Sequence, residues 1–217
     1  MTAAAKTIRV LIVDDHPLLR QAIVAIVEKE EDFSQCDEAE DIQTALSGIV
    51  RNKPDVIILD LSLKVGDGLE GLRTIKEQYP EIKVVILSGR DESVYAPRAL
   101  RAGASGFVRK EEPVEKLLMA IRKAMTGALY LSEELESHLL KQLRGESNST
   151  KLPVESLSDR ELQVFRLYGE GVGTNEIAAK LGLSSKTVET HRANIKEKLH
   201  LKTADALLRT AIDWVHN

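Results

Sequence analysis

Four short apolar runs in the N-terminal half each stop at a polar residue capable of chemistry. Ile8–Val13 (IRVLIV) ends at Asp14-Asp15, and Val56–Leu59 (VIIL) follows Pro54 and ends at Asp60. Val84–Leu87 (VVIL) ends at Ser88-Gly89, and the shorter Gly106–Val108 ends at Arg109-Lys110. Continuous β-branched runs bounded by turn residues read as strands buried on both faces. A fifth, weaker strand is expected near Phe33–Ala39. Helical periods lie between them. Leu18, Leu19, Ile23, Ile26 and Val27 share one face, as do Leu69, Leu72 and Ile75 and then Leu117, Leu118, Ile121 and Met125. Pro17 and Pro113 stand at plausible first-turn positions. Five β and five α units in alternation predict a parallel sheet covered on both faces. In such sheets a ligand binds beyond the carboxyl ends of the strands. That is where Asp14, Asp15, Asp60, Ser88 and Lys110 all fall.

Three carboxylates brought together repel one another unless a cation intervenes. Oxygen donors without His or Cys favour Mg²⁺. With a hydroxyl and an ammonium alongside, the set suits phosphoryl transfer onto a carboxylate, with Asp60 attacking in line. It is a poor protease or glycosidase kit, because no base–nucleophile chain is evident. One acidic residue at a strand end is commonly a solvated cap, but five suitable groups at the right ends are not.

Composition narrows the setting. The 217 residues are 43% hydrophobic and 29% charged with a net charge of −4, an ordinary balance for one or two soluble domains. A single cysteine, Cys36, rules out an internal disulfide and reads as a small buried hydrophobe. It also leaves no four-ligand zinc site of finger spacing. The first residues lack a signal-peptide pattern, and no apolar run nears the roughly 20 residues of a membrane span. A cytoplasmic protein is expected.

The first segment resembles the receiver domain of bacterial two-component response regulators. The residues that carry the resemblance are Val13-Asp14-Asp15-His16, Asp60-Leu61-Ser62 with Asp67-Gly68, Ser88, Phe107 and Lys110, over about residues 7–125. The resemblance implies a doubly wound, flavodoxin-like (βα)5 fold. It makes Asp60 the phosphoacceptor and a sensor histidine kinase the donor. Asp14, Asp15, Asp60 and the Ser62 backbone carbonyl would hold Mg²⁺, and Lys110 would pair with the phosphoryl group. Ser88 would move to bind that group, and Phe107 would turn inward behind it. Three positions depart from the common pattern. Leu63-Lys64 replaces a frequent Met-Pro, Glu111 replaces the proline that favours a cis peptide after Lys110, and Ser88 replaces Thr. None removes a needed chemical group. His16 reads as a surface loop residue.

The C-terminal third carries no strand signal. A short helix, Glu133–Leu143, is expected within a linker spanning 126–151, whose Arg144–Thr150 stretch is small and polar. Four helices fit the rest, at about 158–169, 174–181, 185–199 and 203–215. Ser158 and Glu161 form a capping-box pattern. Helix, Gly182 turn, then Ser184 as N-cap is a helix-turn-helix layout. At about 100° per residue, Val188, Ile195 and Leu199 share a buried face of the third helix. The opposite face shows Lys186, Thr190, Ala193 and Glu197, with Glu189 and Asn194 at its margins and Arg192 and Lys196 on one flank. Short polar side chains between basic flanks suit base edges within a phosphate clamp, and a Glu there can accept from cytosine N4. Residues 184–202 hold five basic residues against two acidic, a small patch on an acidic chain.

This segment, 152–217, resembles the DNA-binding domain of the LuxR/NarL/FixJ family. The carrying residues are Leu157-Ser158-Asp159-Arg160-Glu161, Thr174-Asn175-Glu176-Ile177-Ala178 and Ser185-Lys186-Thr187-Val188-Glu189-Thr190-His191-Arg192. The resemblance implies an all-α four-helix domain binding double-stranded promoter DNA. Lys186, Thr187, Glu189, Thr190, Arg192, Ala193, Asn194 and Lys196 are the candidate contacts. Glu189 stands where Lys is frequent, so altered base preference is expected. The last helix offers more apolar residues than inward packing needs, Leu208 and Ile212 among them; the resemblance implies that it pairs two protomers on phosphorylation, with core packing as the competing reading, and RNA polymerase is a candidate partner. Two other readings compete. An aspartyl phosphatase wants a second Asp where Ser62 stands, and a docking module would bind DNA regardless of phosphorylation.

Overall fold

The computed structural model describes residues 7–143 and 153–216, so the Arg144–Thr150 linker lies outside the described residues. The chain divides into two compact units, the first ending at Leu143.

The first unit is a five-stranded parallel sheet, β1 (Ile8–Val13), β2 (Phe33–Ala39), β3 (Val56–Leu59), β4 (Lys83–Ser88) and β5 (Gly106–Arg109), in the order β2-β1-β3-β4-β5. The helices α1 (Pro17–Val27), α2 (Ile42–Asn52), α3 (Gly68–Gln78), α4 (Glu92–Arg101) and α5 (Val114–Met125) alternate with the strands. The apolar runs are buried because the helices turn their own apolar stripes onto them: Ile23 and Val27 from α1, Leu72 and Ile75 from α3, Leu117 and Ile121 from α5. Helix starts follow local chemistry. Pro17 opens α1, Asp41 and Thr44 cap α2 reciprocally, and Asp67 accepts from the Glu70 amide at the head of α3.

Register places the site. Val13 pairs with Leu59 and Leu59 with Ile86, so β1 and β3 end level with each other. The Asp60 amide donates to the Val13 carbonyl (2.9 Å) and the Lys110 amide to the Ser88 carbonyl (3.0 Å). Asp14, Asp60, Ser88 and Lys110 are thereby delivered to one rim by main-chain pairing alone. Gly68 has a packing reason to be glycine, since a Cβ there would lie 2.8 Å from the Asp60 carbonyl oxygen and closer still to Leu61 Cα.

The first unit continues past the helix α5. Tyr130 forms a parallel bridge with Gly106 on the edge strand β5. Ser132 donates to Glu92 Oε2 on α4 (2.9 Å) and accepts from the Leu135 amide at the head of α6 (Glu133–Leu143). Leu135 is buried. The expected short helix is present, and the segment from Tyr130 to Leu135 is docked onto the first unit.

The second unit begins with a 3-10 turn, Pro153–Ser156, and has four helices: α7 (Asp159–Gly169), α8 (Thr174–Leu181), α9 (Ser185–Lys198) and α10 (Ala204–His216). Its core holds Leu162, Phe165, Ile177, Val188, Ile195 and Leu207. The capping box is formed: Ser158 accepts from the Glu161 amide, and Glu161 accepts from the Ser158 amide. Glu161 is buried, and Lys198 of α9 reaches its Oε2 at 2.6 Å. Gly182 leaves α8 in a left-handed conformation (φ 63°), and Ser184 then caps α9. The last helix lies so close to α7 that a Cβ on Gly169 would strike the Ala211 carbonyl.

Candidate functional site

Asp60 is 1% exposed and Asp14 2% exposed at the sheet rim. The Lys110 ammonium lies 2.7 Å from Asp60 Oδ2 and 2.7 Å from Asp14 Oδ2. Ser62 donates its amide to Asp60 Oδ1 at 2.9 Å. Burial pushes the Asp60 carboxyl above its ordinary range, against the pull of Lys110. Burial would lower Lys110, but its bonds to Asp14 and Asp60 outweigh that and raise it. The ammonium stays charged.

Ser88 is buried and its Oγ accepts from the Arg90 amide (3.2 Å). Phe107 is fully buried one strand away. The described peptide bonds are all trans, the one after Lys110 included. Asp14, Asp15, His16 and Asp60 each bring a ligand atom to within 4.8 Å of the others. Asp14 Oδ2 and Asp15 Oδ1 are buried and make no well-angled hydrogen bond. Their approaches to the Lys110 ammonium (2.7 Å) and to His16 Nδ1 (2.9 Å) lack hydrogen-bond geometry. Buried carboxylate oxygens with spare capacity are what a hard cation needs. The donor set therefore fits Mg²⁺.

Other residues at this rim went unread in the sequence. His16, read as a surface loop residue, is more than half exposed but turns Nδ1 onto Asp14 and Asp15. Arg20 donates to the Asp14 carbonyl, and Arg90 reaches Ser62 Oγ at 2.9 Å. Arg and His after an acidic pair are too common in sequence to signal this.

In the second unit, α9 buries Val188 and Ile195, and its C-cap Leu199 is buried beside them, as the period requires. Lys186, Glu189, Thr190, Ala193 and Asn194 are exposed, and Thr187 and Lys196 are partly so. Arg192 differs from its expected place on a phosphate-facing flank. Its side chain is only 14% exposed and its guanidinium stacks 4.1 Å over the Tyr168 ring. Nη2 donates to the Tyr168 hydroxyl (2.6 Å), and Nη1 donates to Thr174 Oγ1 (3.0 Å) and Glu189 Oε1 (2.7 Å). Both terminal nitrogens of the planar fork find partners inside the domain, while the buried Nε makes no hydrogen bond. His191 is partly buried.

An acid-and-lysine pocket on this strand order, joined in one chain to a helix-turn-helix unit, is the architecture of a signal receiver with an output domain. Two family models match: "Response regulator receiver domain" over residues 10–122 and "Bacterial regulatory proteins, luxR family" over residues 155–211. The oxygen regulatory protein NreC of Staphylococcus carnosus (strain TM300) is 35% identical over 209 residues, 94% of this chain and 96% of that protein. NreC of Staphylococcus aureus (strain MRSA252) is 36% identical over the same coverage. RcsB from Salmonella enterica serovar Typhimurium, solved on the rprA promoter with the phosphomimetic BeF3−, superposes with a TM-score of 0.74 at 26% identity, over 98% of this chain and 100% of that one. The chain belongs to the two-component response regulators that join a receiver to a LuxR-type DNA-binding domain. That family pairs its receiver with a DNA-binding output rather than a catalytic one. Among the described residues no helix is long and apolar enough to cross a membrane.

Proposed function

We propose that a sensor histidine kinase phosphorylates Asp60 and that this switches dimeric binding to promoter DNA. The observation that carries the reading is the Lys110 ammonium at 2.7 Å from both Asp60 and Asp14, on a carboxylate that is almost wholly buried. An Asp60 oxygen attacks phosphorus, the bond to the donor nitrogen breaks, and an acyl phosphate remains. Lys110 is placed to neutralise the added charge. Mg²⁺, when bound, would neutralise phosphoryl oxygens further, held by Asp14, Asp15, Asp60 and the Ser62 carbonyl. The Ser88 hydroxyl is one strand away to hydrogen-bond the phosphoryl group held on Asp60, and Phe107 fills the space behind it.

In the output unit, α9 is the recognition helix. Lys186 and Lys196 bracket Thr187, Glu189, Thr190, Ala193 and Asn194, which suits phosphate clamping around base edges. Arg192 acts from behind, through its neighbours. The protein works in the cytoplasm, with residues 7–125 as receiver, the linker expected over 126–151 beginning only after the α6 helix that the first unit retains, and 152–217 as DNA-binding domain. The exposed Ile212 on α10 is a candidate element of the dimer contact, and RNA polymerase a candidate partner.

Intact mass after acetyl phosphate and Mg²⁺, on wild type and Asp60→Asn, tests this. Phosphoryl gain by wild type alone, with tighter retention of promoter DNA and a doubled apparent mass, is expected. Absence of gain in both, or DNA retention indifferent to it, would leave the receiver a docking module. Turnover of an external phosphate ester would instead favour the phosphatase reading.

A further inference from the structure

A glutamate on the DNA-facing side of a recognition helix meets a polyanion, so its carboxylate needs both neutralising and aiming. In this protein Arg192 of the same helix neutralises it, and Thr174 of α8 and Tyr168 of α7 do the aiming. Glu189 Oε1 accepts from Arg192 Nη1 (2.7 Å) and from Thr174 Oγ1 (3.0 Å). Arg192 is in turn held by the hydroxyl and the ring face of Tyr168 on α7. Oε2 of Glu189 has no partner among the described residues, and the side chain is 57% exposed. One oxygen is fixed and one is presented.

We infer that Tyr168 and Thr174 are positioning residues for base selection, acting through Arg192 and Glu189 on a base that bears an exocyclic amine in the major groove. The inference rests on α9 being the recognition helix. A presented carboxylate oxygen accepts from cytosine N4 or adenine N6 and is repelled by guanine O6 or thymine O4. Arg192 cancels the charge that phosphates would otherwise repel, so the acceptor survives at the DNA surface. A free Glu189 could swing away from an unfavourable base; a clamped one cannot. Loss of the Tyr168 hydroxyl frees the guanidinium to turn toward phosphate, which lowers selectivity without lowering general affinity.

The test uses the full chain treated with acetyl phosphate and Mg²⁺, and a pool of duplexes with a randomised centre, bound once and sequenced. Glu189→Gln should reduce base preference at one position per half-site by about tenfold. Tyr168→Phe, which keeps the stacked ring, and Thr174→Val should each weaken preference at that same position about threefold or more, with total retention changed less than about twofold. The double variant Tyr168→Phe, Glu189→Gln should match Glu189→Gln alone. A Tyr168→Phe protein that keeps wild-type preference, or loses retention uniformly on all duplexes, overturns the inference while Glu189→Gln still marks α9 as the reader. If neither Glu189→Gln nor Lys186→Ala alters DNA binding, the recognition-helix reading falls and takes the inference with it.

Discussion

The amide of Phe107 donates to the carbonyl of Tyr130 across 3.1 Å, and the amide of Tyr130 donates to the carbonyl of Ser105, also across 3.1 Å. The buried switch candidate on β5 thus shares main-chain bonds with the segment that leads to α6. A Cβ on Gly106 would lie 3.0 Å from Tyr130 Cβ and 3.1 Å from its carbonyl oxygen. Gly106→Val should pry this bridge open. Hydrogen exchange at the Phe107 amide should then speed up by about an order of magnitude, while amides of β1 and β3 are unaffected. Unchanged exchange at Phe107 would show that the bridge does not protect it.

Glu161 links pH to the stability of the second unit. Burial alone would raise its carboxyl, but Lys198 and the Ser158 bonds outweigh burial and hold it below the ordinary carboxylate range. A depressed value in the folded state adds stability above the unfolded value and loses it as pH falls through the folded one. Lys198→Met removes the largest restraint, so acid unfolding should begin at higher pH, with a loss of about 1–3 kcal/mol at neutral pH. Trp214, the single tryptophan, lies 5.6 Å from the Phe165 ring in this unit. Its fluorescence reads that transition without interference from the receiver.

Lys186 and Arg192 should separate in a salt titration. Lys186 is exposed on α9, whereas Arg192 is held against Tyr168. Neutralising Lys186 should lower the slope of log affinity against log salt by about one. Arg192→Gln should leave that slope nearly intact. Equal slope losses for both would place the Arg192 guanidinium on phosphate in the complex.

Cys36 should be inert. Burial, then Glu28, Asp37 and Glu38, push its thiol up to about 12, so almost no thiolate exists at pH 8. Iodoacetamide should label the native protein far more slowly than the urea-unfolded chain, read by intact mass. Equal rates would mean that the site opens freely.

Most of the sheet and its rim was readable in the sequence because one device encodes both. A contiguous apolar run fixes a buried strand, and the residue where it stops is the rim residue. Asp60 and Lys110, 50 positions apart, could be brought together from strand alternation alone. The strand β2 was weak because it pairs only with β1, so it needs no continuous apolar run and its sequence FSQCDEA shows none. The docking of Tyr130 was unreadable because a single bridge leaves no period. Arg192 shows the other limit. Helical periodicity gives the direction of its Cβ, but not where a long side chain folds back, and Tyr168 belongs to a different helix.

The sheet is open, and an open sheet has two edges that invite extended segments of other chains. On one, the Tyr130 segment already occupies the Phe107 amide and the Ser105 carbonyl. On the other, β2 carries Asp37 and Glu38, with Glu38 gripped by Arg20. One edge is capped by the chain's own backbone and the other is guarded by charge. Neither edge of the receiver sheet is therefore a bare template on which an extended segment of a second chain would add.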